Sequence, residues 1–315
     1  KAGGFNLDRS ALKAPQASFA SPGGAQALVG NLQFDPETVN AFELGAKYST
    51  GPFSLSVAAF RQDFKNFQLN TFDGTVFIVQ NINGCENSLN GADRDQSVRP
   101  GALNFVNPTI VAGSGFNLNP AAGTGACAAD KVGYGVRSQG VELEVSLVPA
   151  RDVRVTVGAT FADTKYRSNL VGNDSGAPLS PALRLLPGSN LSNAPKTVVT
   201  GSFGWTPDIG SSGLSGLFYI DGRMTSDYNS GSDLFPQKGQ DGYFLANARV
   251  GIRGPDEHWA VEFWGQNIFN KQYAQVAFNS PFQEGSTGSA PYAAGLNASP
   301  FVDPQFPGGR QIFSQ

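Results

Sequence analysis

Few residues in this chain are equipped for catalysis, and they are poorly placed for it. The single histidine, His258, is the natural candidate for a general base, a role that needs a nucleophile and an orienting acid within hydrogen-bond reach. It sits beside the tight turn Gly254-Pro255-Asp256, away from every long loop, so enzymatic activity is not expected. The two cysteines, Cys85 and Cys127, cannot build a zinc centre, which takes four ligands. Both lie in one long loop. An oxidising compartment would let them pair and tie off that loop, and free thiols are the alternative. Asp93, Asp95 and Asp130 do not follow the spacing of a calcium loop. No glycine-rich segment follows a strand and opens a helix, so the glycine pairs read as turn residues rather than as a phosphate cradle. Neither a cofactor nor a metal is expected.

A different set of residues is arranged more regularly. Glu43, Lys47, Glu142, Glu144, Arg154, Arg249 and Glu262 all recur on the polar side of segments whose other side is apolar. Such a row could line a substrate path.

The segments that carry this row alternate with a period of two, the pattern of strands with one apolar face. Over 38–49, Phe42, Leu44, Ala46 and Tyr48 oppose Glu43, Gly45 and Lys47. Over 53–69, Phe53, Leu55, Val57 and Ala59 oppose Ser54, Ser56 and Ala58 before the pattern blurs. The cleanest hairpin sets Val141, Leu143, Val145 and Leu147 against Glu142, Glu144 and Ser146, then Val153 to Phe161 against Arg154, Thr156 and Thr160. A slip of one residue would turn both glutamates and Arg154 to the apolar side. In a bilayer an outward arginine near the midplane costs about 2–4 kcal/mol, so the register is well determined. Strands at 196–206, 213–224 and 242–253 follow, and the last begins at Trp259 with Val261 and Phe263 on its apolar side and Phe269 and Tyr273 near its other end. Aromatics at both ends of an alternating segment suit a strand that crosses a membrane, because ring systems prefer the headgroup level. A soluble β-sandwich would show the same alternation.

Bulk composition favours the membrane. Charged residues make up 15% of the chain, against roughly 25% in average soluble proteins, while mean hydropathy is only −0.20. No run of apolar residues is long enough for a transmembrane helix. The formal net charge is −3, with no Lys/Arg cluster, so no nucleic-acid partner is expected. The connections decide further. Residues 1–37, 70–133 (with a small strand at 75–82), 163–195, 225–241 and everything after Tyr273 read as loops, while short turns fall near 50, 150, 210 and 255. Short turns alternating with long polar loops are the asymmetry of outer-membrane barrels.

Six stretches resemble, in order, the C-terminal part of the barrel of TonB-dependent outer-membrane receptors: KAGGFN (1–6), DPETVNAFELGAKY (35–48), RSQGVELEVSLVP (137–149), LSNAPKTVVTGSFGW (191–205), YFLANARVGIR (243–253) and WAVEFWGQNIFNKQY (259–273). In the last, Asn270 stands where an Asp is usual. The resemblance covers the strand segments and almost none of the loops. It implies an all-β fold, an antiparallel up-and-down meander of about eight membrane-spanning strands. These would be strands 14 to 21 of a 22-stranded type of barrel with long external loops and a plugged lumen. Residues 1–315 would then be a partial receptor barrel domain, with the plug domain and last strand absent, unable to transport alone. The resemblance further implies a bacterial outer membrane location, a plug domain of the same polypeptide hydrogen-bonded by the seven charged residues, and a TonB complex reached through the plug-bearing part. It also implies a small-molecule nutrient such as a ferric siderophore, cobalamin or oligosaccharide. Loop aromatics, among them Phe72, Phe77, Phe105, Phe116, Tyr134, Tyr228, Phe235, Phe278 and Tyr292, would stack on a ligand or on one another; the contacts themselves are not legible. A passive porin or adhesin-like barrel is the alternative of another class.

Overall fold

The computed structural model describes residues 1–5, 33–72, 77–89, 127–176, 183, 185–234, 236–279 and 311–314. Eight long strands form one antiparallel sheet: β1 (Thr38–Thr50), β2 (Phe53–Lys65), β3 (Val136–Ala150), β4 (Val153–Tyr166), β5 (Thr197–Trp205), β6 (Leu214–Thr225), β7 (Tyr243–Arg253) and β8 (Ala260–Gly265). Each pairs with its neighbours in chain order, an up-and-down meander. The connections Gly51-Pro52, Arg151-Asp152, 206–213 and 254–259 lie at one end and the long ones at the other. Gly51 takes a φ of +44° in the first of these turns, a conformation open to glycine at little steric cost.

The register carries the two-faced pattern across the whole sheet. One continuous row crosses from Tyr48 through Leu55, Val145 and Val157. Another joins Leu44, Ala59, Val141 and Phe161. On the later strands Phe203, Ile220 and Ala248 continue the same face. No second layer covers it among the described residues: Leu44 is 81% exposed, Phe263 73% and Phe42 68%. In water so continuous an apolar surface would be expected to drive association. Its ends are aromatic. Tyr48 and Phe53, and Trp205 stacked on Phe218 at 5.3 Å, stand near the short turns, while Phe161 and the Phe244–Phe269 pair stand near the loops. Aliphatic residues, alanine and glycine fill the middle. Along β4 the apolar row runs from Val153 to Phe161, about 27 Å along the strand and roughly 20 Å of height at the tilt of barrel strands.

The buried core lies elsewhere, at the loop end. The hairpin Phe67–Phe72/Phe77–Cys85 folds over the rim, and its Leu69 and Ile82 pack with Val136, Tyr166, Leu170, Leu183 and Leu186. Sequence periodicity expected only a small strand at 75–82 here and carried the preceding strand to 69. Asn66, at φ 53°, breaks β2 and turns the chain into the hairpin. The amides of Asn81 and Asn83 hold that bend, donating to the Asn66 carbonyl and carboxamide oxygens at 3.0 and 2.6 Å. Further short ladders lie in stretches read as loop, Tyr228–Asn229 with Gly239–Gln240 and Val276–Asn279 with Gln311–Ser314, and Gly4–Phe5, in the stretch 1–6 that resembles a strand end, pairs with Gln33–Phe34.

Candidate functional site

The face opposite the apolar one is the candidate site. All seven charged residues expected on a polar row fall on it. Lys47 lies across from Ser56 and then Glu144, and Glu142 lies between Ala58 and Thr160. Glu43 and Arg154 share their phase, as do Arg249 and Glu262. Within the seven, one ion pair forms: Arg249 Nη1 stands 3.5 Å from Glu262 Oε2. The same carboxylate meets Arg253 Nη2 at 3.4 Å.

The register also brings in residues that sequence reasoning left out. Tyr219, Asp221 and Arg223 on β6 and Asn247 on β7 share this face. Asn247 Nδ2 donates to Asp221 Oδ2 at 2.8 Å. Their signal is the period of two set by Phe218 and Ile220, obscured because Gly216 and Gly222 interrupt the apolar row on that strand. With them the face divides electrically. β1 to β3 present Glu43, Glu142 and Glu144 against Lys47, and β4 to β8 present Arg154, Arg223, Arg249 and Arg253 against Asp221 and Glu262. Each side has a recess: about 370 Å³ beside Glu142, Glu144 and Thr160, and about 670 Å³ beside Ser202, Asp221, Arg223 and Asn247.

Three tyrosines cluster at the loop end, and one of them, Tyr273, lines the larger recess. Asn267, at φ 47°, closes a turn in which its side chain donates to the Lys271 carbonyl and accepts from the Lys271 amide, both at 2.9 Å. That turn carries Tyr273 back onto Tyr243, ring centres 4.5 Å apart, and Tyr243 meets Tyr228 edge-on. The sequence reading placed Tyr273 near the outer end of the last apolar strand. β8 stops at Gly265 instead, and Tyr273 lines the polar recess. The Tyr228 hydroxyl donates to the Ala274 carbonyl at 3.0 Å, and burial pushes its pKa upward, aided by a hydrogen bond with Tyr243. This cluster is a hydrogen-bonding aromatic surface.

The remaining candidates are scattered. Cys85 and Cys127 form a disulfide with their Cα atoms 5.9 Å apart, in a small core with Leu89 and Val171. His258 is exposed at the short-turn end, its Nδ1 3.1 Å from the Pro255 carbonyl oxygen. Asp130 pairs with Lys131. Asp93, Asp95, Phe105, Phe116, Phe235 and Tyr292 lie outside the described residues, and of Phe72, Phe77 and Phe278 only the backbone is described. Tyr134 sits between the guanidinium groups of Arg137 and Arg167.

Comparison with known proteins matches this geometry. Residues 5–268 match the family model described as TonB dependent receptor-like, beta-barrel. No curated protein sequence matches the chain. Among solved structures, the ferric yersiniabactin uptake receptor FyuA from Yersinia pestis aligns over 79% of this chain and 27% of its own, at 14% identity and a TM-score of 0.51. The ferric preacinetobactin receptor BauA from Acinetobacter baumannii aligns over 77% and 27%, at 14% identity and a TM-score of 0.44. The chain thus spans about a quarter of the length of these receptors, and the likeness to FyuA is one of fold. The sheet is a section of a larger transmembrane β-barrel, and the chain belongs to the TonB-dependent receptor-like β-barrel family.

Proposed function

We propose that this chain is a section of the barrel wall of an energy-coupled outer-membrane receptor that imports a scarce nutrient, a ferric siderophore, cobalamin or oligosaccharide. The observation that carries the reading is the two-faced sheet: an uncovered apolar face bounded by aromatic residues, backed by a hydrogen-bonding, charged face. In this reading the apolar face meets outer-membrane lipid. Glu43, Lys47, Glu142, Glu144, Arg154, Arg249 and Glu262 face a plug domain of the same polypeptide, and a TonB complex acts on that plug to open a path. Family membership supports the reading, as does the fold shared with FyuA, a ferric yersiniabactin uptake receptor. The chain contributes a wall and selective loops, and no bond is made or broken.

The test is uptake of labelled ferric siderophores, cobalamin and oligosaccharides by cells with and without the intact gene. Loss of one uptake activity on deletion, and again on collapse of the proton gradient or removal of TonB, supports the proposal. Uptake that needs the gene but survives both treatments identifies a passive pore and overturns it.

A further inference from the structure

The larger recess on the polar face is tied together by one chain of hydrogen bonds. Asn247 stands at its centre: Nδ2 donates to Asp221 Oδ2 at 2.8 Å, and Oδ1 accepts from the Asn267 amide at 3.0 Å. Asn267 in turn makes the two bonds to Lys271 that bring Tyr273 back onto Tyr243. The Asp221 carboxylate and the Tyr273 ring are thereby fixed relative to one another before a ligand arrives, which lowers the ordering cost of binding. Both line the recess, and Tyr219 lines it from the short-turn side. On β7 and β8 the charges expected to face a plug, Arg249 and Glu262, stand nearer the short turns than Asn247 does, so the recess extends from them toward the loops.

Its side chains suit hydroxyl groups. Asp221 only accepts, and it forms no ion pair among the described residues. Arg223 and Gln266 line the same recess, and neither has a hydrogen-bond or ion-pair partner among the described residues. An accepting carboxylate, a donating guanidinium and a carboxamide that does both complement adjacent hydroxyls, each of which donates and accepts. The formal charges of Asp221 and Arg223 cancel. An anionic metal chelate would bring like charge to Asp221, whereas a neutral polyol satisfies both groups without that repulsion. The Tyr273 ring, backed by Tyr243 at 4.5 Å, supplies a flat apolar surface for the C–H face of a sugar ring. The volume of about 670 Å³ is that of a small-molecule site.

We propose that this recess is a subsite for a neutral oligosaccharide, one sugar ring stacked on Tyr273 and hydroxyls of the same sugar chain bound by Asp221 and Arg223. Asn247 is a positioning residue that joins the two halves of the subsite. The inference rests on the reading of this chain as part of a nutrient importer, and it selects oligosaccharide among the nutrient classes named there.

The test is titration calorimetry of the full-length receptor in detergent with short neutral glucans, xylans and mannans, a ferric tris-catecholate, ferric citrate and cyanocobalamin. Saturable binding of a neutral oligosaccharide is expected. Asp221→Asn should weaken it roughly tenfold to a hundredfold, as for a lost hydrogen bond to a charged group. Tyr273→Ala should weaken it about tenfold, while Tyr273→Phe, which keeps the ring, should bind like wild type. Unchanged heat-modifiable gel migration shows that the variants remain folded. Binding of a ferric chelate or of cobalamin, with none by any sugar, overturns the assignment and leaves the importer reading standing. Sugar binding that Asp221→Asn and Tyr273→Ala both leave unchanged places the site elsewhere and overturns it as well. A loss with Tyr273→Phe as large as with Tyr273→Ala overturns the stacking role. A receptor that binds none of these nutrient classes contradicts the importer reading itself, and the inference with it.

Discussion

The sharpest perturbation is an arginine at Val157 compared with one at Thr160 on the same strand. Val157 is the middle residue of the apolar row on β4, 39% exposed, flanked by Val145 and Gly201. Thr160 points to the other face and lies across from Glu142. If the apolar face meets hydrocarbon, Val157→Arg puts a guanidinium near the bilayer midplane at a cost of about 2–4 kcal/mol. That is a factor of roughly 30 to 1,000 in the folded-to-unfolded ratio. The flanking residues at 145 and 201 are valine and glycine, so neither offers the charge a partner. Thr160→Arg places the same group beside a carboxylate in a polar setting and should cost under about 0.5 kcal/mol. Guanidinium titration of the full-length receptor in lipid vesicles, followed by heat-modifiable migration, reads both. On a sheet with water on both faces, the half-exposed Val157 would tolerate arginine as well as Thr160 does. Equal, mild effects would therefore refute the reasoning.

Further expectations concern the loops and the polar wall. Reducing the Cys85–Cys127 disulfide, which spans 42 positions, should loosen the loop by up to about 4 kcal/mol on the chain-entropy estimate, read as faster proteolysis between the two cysteines with barrel migration unchanged. Lys238 is buried against Asp233 at 2.5 Å; Lys238→Met should cost up to about 3–5 kcal/mol of local stability by taking the cation from a buried carboxylate, and Lys238→Met with Asp233→Leu less. Burial lowers the pKa of Lys238 despite Asp233, so the folded loop gives up this proton before the unfolded one does. Its contribution to stability should accordingly rise with pH from the folded pKa towards about 10.4, a slope that hydrogen exchange around residues 228–240 measures. Asn267→Ala removes both hydrogen bonds to Lys271 and should free Tyr273 from Tyr243, visible as faster exchange at the Ala274 amide. Glu142→Lys with Glu144→Lys should depress uptake while leaving barrel migration unchanged, if these carboxylates face a plug.

How much of this was legible depended on whether a strand kept one phase from end to end. Between Val141 and Phe161 it does, and glutamates alternating with valine and leucine set register, faces and turn together. The ends of the same strands were not legible. At Val136–Gly140 and Ala162–Tyr166 the apolar phase switches sides as the sheet passes from the apolar band to the loop core, so one strand carries two opposite alternations. A period that reverses midway cancels in any single window. Asp221 and Arg223 were missed for another reason: glycines on the apolar side of β6 leave no contrast to read against. Tyr273 was misplaced because a side-chain clamp at Asn267, not periodicity, decides where it points. The hairpin after Asn66 likewise depends on carboxamides many positions away in sequence.

The most direct test of the two-faced wall is a spin-label scan along β4 from Val153 to Phe161 in the full-length receptor, reconstituted in lipid. Collision with oxygen, which concentrates in hydrocarbon, should peak at 153, 155, 157, 159 and 161, and collision with an aqueous nickel chelate should be lowest there. Nickel access as high at these odd-numbered positions as at 154, 156, 158 and 160 would mean that water, not lipid, covers the apolar face.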